Sequence, residues 1–241
     1  MIKVALAEWC ATVEADHFGA LGAYDTGFAD EVAAVVVELS DDDRVKTIVL
    51  KSRGHDFAPR VPASPPPPGL VPTTWHRSFA ASSAVYQALC FSKKVVITVV
   101  TGECSAAGTN LVLCSDLTVA DATATFASPF LDTPEANFVL AALTVRLNRA
   151  KAWMLRNSVI PAEEALAIGL VNQVVPADRV LEAVGEISQA VSGMPLDGVT
   201  MSKMLQQAVY DAHGVGREFD MADHYAIHRW VASEQEDQAT R

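Results

Sequence analysis

A chain of 241 residues, 50% of them hydrophobic, can bury one core and does not require a second domain. Its formal net charge of -11 excludes a general nucleic-acid or anionic-membrane surface, while local cations and backbone N–H groups still allow an anionic ligand. No apolar run approaches the roughly 18 residues of a membrane span, and the run after Met1 is too short for a secretory signal. The expectation is a soluble cytoplasmic protein with no nucleic-acid and no membrane partner. Four cysteines, Cys10, Cys90, Cys104 and Cys114, form no C-x-x-C pair and read as buried thiols.

In chain order, Ile2 to Trp9 reads as a strand. Phe28, Val32, Val35, Val36 and Leu39 share one helical face, and the acidic run from Asp41 to Asp43 ends that helix. Thr47 to Lys51 is a short buried strand, and Ser78 to Phe91 is helical with Val85 and Leu89 inward. Val95 to Val100 is a continuous β-branched run, the pattern of a strand covered on both faces. Gly108 to Leu113 reads as a helix and Leu117 to Ala120 as a strand. Helices then follow at 136–147, 149–156, 161–168, 178–192, 199–212 and 216–230. Strands alternating with helices, followed by a run of helices, define an α/β core with a helical C-terminal part. Between Pro59 and Pro72 lie seven prolines, which forbid a helix and read as a surface loop.

The stretch from Lys93 to Pro176 carries a further signal. It holds a β-branched strand ending in Thr101-Gly102, then Ala106-Ala107-Gly108, Ser115-Asp116, Phe126-Ala-Ser-Pro129-Phe130, Pro134-Glu135-Ala136 and a segment from Ala162 through Gly169 to Pro176. In that order and spacing these resemble the enoyl-CoA hydratase/isomerase (crotonase) superfamily. The resemblance covers residues 30–176 well, and implies a crotonase-like (ClpP/crotonase) α/β fold. That fold is a spiral core of repeated β-β-α units with a helical C-terminal region. The core is expected over 1–192, with 193–241 serving oligomerisation or pocket closure. It also implies an acyl-CoA ligand, coenzyme A as part of the substrate rather than a separate cofactor, no metal, and a homotrimer or hexamer.

Chemistry of this family begins at a thioester carbonyl, where two backbone N–H groups stabilise a growing oxyanion; losing one such donor costs about 3 kcal/mol. By resemblance one donor falls on Ala107, in the turn Ala106-Ala107-Gly108 at a helix N-terminus, where free amides and the dipole favour an anion. The bland alternative is an ordinary strand-to-helix turn. The other donor belongs after a strand, in a pattern like Phe-x-Ala-Gly-x-Asp. Counted along Phe57-Ala58-Pro59-Arg60 it lands on Pro59, which has no N–H, so Ala58 or Arg60 must donate or that half is missing.

Hydration needs two carboxylates. By resemblance their positions fall on Asn110 and Phe130, neither of them an acid, so two-glutamate hydratase activity is not expected. The Pro-Phe, spacer, Pro-Glu-Ala pattern resembles the isomerase-like branch, whose single glutamate moves a proton between C2 and C4. Glu135 matches it, with Asp132 a weaker candidate, although the spacer is about three residues shorter than that branch usually has. The alternative for Glu135 is a helix first-turn acid. Phe57, Arg60, Ala106, Gly108, Asn110 and Phe130 are the expected substrate contacts. His224 and His228 share a helical face near Asp220 without an evident further metal ligand. Two functions therefore stand: an enoyl-CoA isomerase-like enzyme using Glu135, or a catalytically impaired homologue that binds an acyl thioester or a protein partner.

Overall fold

The computed structural model describes residues 1–62, 72–130, 133 and 135–221, with the backbone alone at 72–75. In chain order the elements are β1 (Lys3–Ala7), β2 (Cys10–Ala15), α1 (Thr26–Asp41), β3 (Thr47–Ser52), α2 (Pro72–Cys90), β4 (Val95–Val100), β5 (Glu103–Cys104) and α3 (Ala106–Cys114). They continue as β6 (Leu117–Asp121), β7 (Thr125–Phe126), α4 (Phe138–Val145), α5 (Leu147–Arg156), β8 (Ile160–Pro161), α6 (Ala162–Ile168), β9 (Gln173–Val175), α7 (Val180–Ser192) and α8 (Leu196–His213). Helical turns resume over 215–221; the rest of the expected last helix lies outside the described residues.

Six strands form one sheet in the order β1-β2-β3-β4-β6-β9, parallel except for the β1–β2 hairpin. Three short strands form a second sheet, β5-β7-β8. Each of β4 and β6 thus runs from the large sheet into a short strand of the small one, and α3 follows the first such pair. This is the strand-strand-helix repetition of a crotonase-like fold.

The β4 run is covered on both faces. Val96 and Val100 pack into the main core with Ile48, Leu50, Val85 and Leu111. Ile97 and Val99 face a smaller core against Val180, Ala183 and Val184 of α7. The expected strand from Ile2 to Trp9 is instead β1 plus a tight turn: Glu8 takes a positive φ of 52°, and Cys10 starts the returning strand. β9 was not foreseen, because three residues are too few for a periodicity signal. The two helices expected over 136–147 and 149–156 are α4 and α5, with the break at Arg146, whose φ of 69° separates them.

Two local devices place the site. Segment 56–58 docks on the exit of β4: Phe57 N–H donates to Thr101 O (2.8 Å), Ala58 N–H to Glu103 O (3.0 Å), and Ser105 N–H to Ala58 O (2.7 Å). Gly102 permits the turn, with φ of +57° and a Cβ position only 2.2 Å from Asp56 Oδ1. At the other edge, Asn137 caps α4 by accepting from Leu140 N–H (3.0 Å) and donates through Nδ2 to Val215 O (2.9 Å). The Glu218 carboxylate accepts from Phe138 and Val139 N–H at 3.0 and 2.7 Å. The C-terminal helical turns therefore hold the backbone that follows Glu135.

Candidate active site

A cavity of about 450 Å³ opens where α3 begins. Ser105, Ala106 and Ala107 form one wall, Arg60, Val61 and Pro62 another, and Gly22, Tyr24 and Thr133 a third. The first N–H groups of α3 have no partner within the helix, and Ser105 at its N-cap gives them no side-chain bond. Ala107 therefore presents an amide at the positive end of a helix, in the wall of a cavity. Tyr86, fully buried, donates its hydroxyl to Ala107 O at 3.4 Å and helps fix that first turn.

Gly108 is required by packing. A Cβ there would meet Ala58 Cβ at 2.4 Å and Cys104 Sγ at 2.9 Å. The close approach of α3 to segment 56–58 thus depends on a missing side chain, which accounts for Gly108 in physical terms.

The segment expected to supply the second donor is arranged differently from the sequence expectation. Ala58 N–H is engaged with Glu103 O in a parallel bridge, and an incoming oxyanion would have to displace that bond. Pro59 has no N–H, and Arg60 N–H donates to Glu103 Oε1 at 3.0 Å. Val61 was not singled out from sequence. It lines the cavity together with Ala107, and its N–H donates to no described residue. Its signal was present as the residue four after Phe57, within the same motif but beyond the proline.

Glu135 is 1% exposed, and its Oε2 accepts a hydrogen bond from the Tyr24 hydroxyl at 3.1 Å. Tyr24 stands in the cavity wall, and the Glu135 carboxylate lies behind it. Burial, and next the negative charge of Glu135, push the Tyr86 hydroxyl well above the ordinary tyrosine range. Two tyrosines therefore flank one buried carboxylate. Asp132 lies outside the described residues.

The remaining expected contacts divide. Arg60 and Ala106 line the cavity. Phe57 is fully buried against Phe18, ring centroids 5.0 Å apart, and belongs to the core. Phe130 packs edge-on to Phe138 and Trp153. Asn110 is fully buried with its amide against the Tyr86 hydroxyl, at a geometry short of a well-formed hydrogen bond. None of the three forms part of the cavity wall.

Elsewhere, Lys93 pairs with Asp41 at 2.6 Å on the surface, and His55 and Arg77 are exposed. All four cysteines are free; burial pushes the Cys90 and Cys104 thiols up to about 12. Among the described residues no three His, Cys, Asp or Glu side chains group as a metal site, and no helix is long and apolar enough to cross a membrane. His224 and His228 lie outside the described residues.

A strand-strand-helix spiral with a helix N-terminus and a buried carboxylate at one cavity defines a class of protein, and comparison with known proteins names it. The family model "Enoyl-CoA hydratase/isomerase" matches residues 19–235, and the chain belongs to that family. A probable enoyl-CoA hydratase of Mycobacterium tuberculosis, EchA12, is 29% identical over 206 residues, covering 76% of this chain and 72% of the relative. The crystal structure of a probable enoyl-CoA hydratase from Mycobacterium thermoresistibile superposes with a TM-score of 0.81 at 21% identity, over 94% of this chain and 93% of that one. A monofunctional enoyl-CoA isomerase from M. smegmatis superposes at 0.71, also with 21% identity, over 87% and 93% of the two chains.

Proposed function

We propose that this protein binds an acyl-CoA thioester and shifts its double bond through an enolate, with Glu135 as the single carboxylate. The observation that carries the reading is the Glu135 carboxylate, buried beside the same cavity whose wall holds the Ala107 amide. The thioester oxygen would take its charge at Ala107 N–H, with Val61 N–H as second donor. Moving a double bond needs one proton shuttle and no added water. Hydration needs a second acid, and the two positions at which the family's hydratases carry acids hold Asn110 and Phe130. The exposed apolar residues of α8, Met201, Met204, Leu205 and Val209, fit a role in self-association, read here as the trimer or hexamer usual in the family.

A second reading has its own observation. Ala58 N–H is spent within the fold and Pro59 has none, so the oxyanion site is weaker than two preorganised donors would make it. On that reading the protein retains thioester binding without turnover.

The deciding experiment supplies a 3-enoyl-CoA and a 2-enoyl-CoA to the wild type and to Glu135→Gln, with binding of the esters followed by calorimetry. Isomerisation of the 3-enoyl ester that vanishes in Glu135→Gln while binding persists supports the enzyme. Binding without turnover supports the thioester-binding homologue, and loss of both in the wild type refutes the two together.

A further inference from the structure

Glu135 is the only one of the two partners in its hydrogen bond that the cavity does not touch: Tyr24 lies in the wall and Glu135 behind it. Tyr24 is also held in an unusual way. It closes the 3-10 turn Gly19–Ala23 in the left-handed region, φ 56° and ψ 39°, which a bulky aromatic residue adopts only at a free-energy cost. The surrounding structure fixes it there. Its own N–H donates to Leu21 O at 3.1 Å, the next N–H, of Asp25, donates to Ala20 O at 3.2 Å, and its ring stacks on Phe79. This strain has no evident benefit to the fold, since Asn or Gly would close the same turn more cheaply. It does aim a phenol hydroxyl from the cavity wall at a buried carboxylate.

Building on the isomerase reading of this site, we propose that Tyr24 is the catalytic residue that meets the reacting carbons, and that Glu135 acts through it as the buried proton acceptor. The transfer is a two-proton relay. The C2–H bond of a 3-enoyl thioester breaks, its proton goes to Tyr24 Oη, and the proton already on Tyr24 moves to Glu135 Oε2. The C–H electron pair becomes the enolate, whose charge falls on the thioester oxygen at Ala107 N–H. The return passes the Glu135 proton to Tyr24 and the Tyr24 proton to C4, as the double bond settles between C2 and C3. No atom is gained or lost, and no phenolate stands alone, because each proton received by Tyr24 is matched by one given up. A phenol is a much weaker acid than a carboxylic acid, so only such coupling lets it serve as the point of contact. The arrangement also keeps Glu135 away from water, which fits isomerisation rather than hydration.

Turnover in H2O of 3-hexenoyl-CoA deuterated at C2, followed by NMR of the deuterium carried to C4 of the product, tests the relay, with hexanoyl-CoA binding measured by calorimetry in parallel. The expectation is that Tyr24→Phe, which retains the ring and its stacking, loses about 100-fold or more in kcat and in deuterium carried from C2 to C4. Hexanoyl-CoA affinity should stay within a few fold, and Glu135→Gln should behave alike. As a second variant, fluorotyrosine at position 24 alters the acidity of the phenol at almost constant shape. A changed kcat with unchanged KM supports the relay, because a purely structural ring would leave both alone. Tyr24→Phe with near wild-type turnover, beside an inactive Glu135→Gln, overturns the relay and leaves the isomerase reading intact. A wild type that shows no turnover at all overturns both, and turnover that places only solvent hydrogen at C4 overturns the relay alone.

Discussion

The two edges of the cavity are built on opposite physical grounds. Where α3 begins, position is set by sterics: a glycine lets Ala58 and Cys104 approach, and there is no room for one more carbon. Where Glu135 precedes α4, position is set by polar contacts from distant parts of the chain, namely Tyr24, Asn137 with Val215, and Glu218. The first edge should fail when atoms are added, and the second when a hydrogen-bonding group is removed. On the proposed isomerase reading, a rigid amide wall with a carboxylate held by side chains behind Tyr24 is a sensible division, since an oxyanion donor must stay still while a proton carrier must exchange its partner.

The largest effect is expected at the steric edge. Gly108→Ala places a Cβ within 2.4 Å of Ala58 Cβ, and the helix cannot retreat without losing its contact with segment 56–58. Overpacking of this kind costs about 1–3 kcal/mol, so thermal unfolding should fall by several degrees and acyl-CoA binding should weaken with it. An unchanged melting temperature would mean that α3 is looser than its packing implies.

At the polar edge, Asn137→Ala removes both the cap on Leu140 N–H and the bond to Val215 O. A lost N-cap costs about 1 kcal/mol. Because the C-terminal turns are tied to the same residue, hydrogen exchange should rise both at the start of α4 and over 215–221. A rise confined to α4 would separate the two segments and weaken the contrast drawn above.

Asn110→Leu goes the other way. Its amide is fully buried and meets only the Tyr86 hydroxyl, at poor hydrogen-bond geometry, and removing a group so weakly satisfied recovers at most about 1 kcal/mol. The variant should melt higher, with acyl-CoA affinity unchanged. A loss of affinity would return Asn110 to the substrate contacts expected from sequence.

Much of the architecture was legible because it rests on periodicity. The β-branched run at Val95–Val100, the face of α1 and the Ala106-Ala107-Gly108 turn all stand where pattern placed them. Short strands such as β5, β7 and β9 carry too few residues to show a period, and the β1–β2 turn hinges on one positive φ at Glu8. The site was legible only in part. Glu135 could be located by motif, but its partner Tyr24 is 111 residues away, before the stretch whose motifs carried the resemblance. Pairings of that kind are set by topology, and no local spacing reports them. Ala58 illustrates the converse: its place in the motif was clear, yet only the fold reveals that Glu103 O already occupies its N–H.

The smallest predicted effect concerns Glu218. It is half-buried, and burial raises its carboxyl pKa above the ordinary glutamate value, only partly offset by the N–H groups of Val139 and Phe138. The folded state therefore binds the proton more tightly than the unfolded chain, and stability from this group declines as pH rises from the ordinary glutamate range through the raised value. With the pH lowered again, protonated Glu218 keeps an acceptor oxygen for one of the two N–H groups and no longer carries a buried charge. Glu218→Gln should thus flatten the dependence of melting temperature on pH across that weakly acidic window, while lowering the affinity of the α4 N-terminus for its cap. If the wild type and Glu218→Gln trace parallel curves, the carboxylate is better hydrated than its surroundings indicate. The clamp on the Glu135 segment would then owe more to Asn137 than to Glu218.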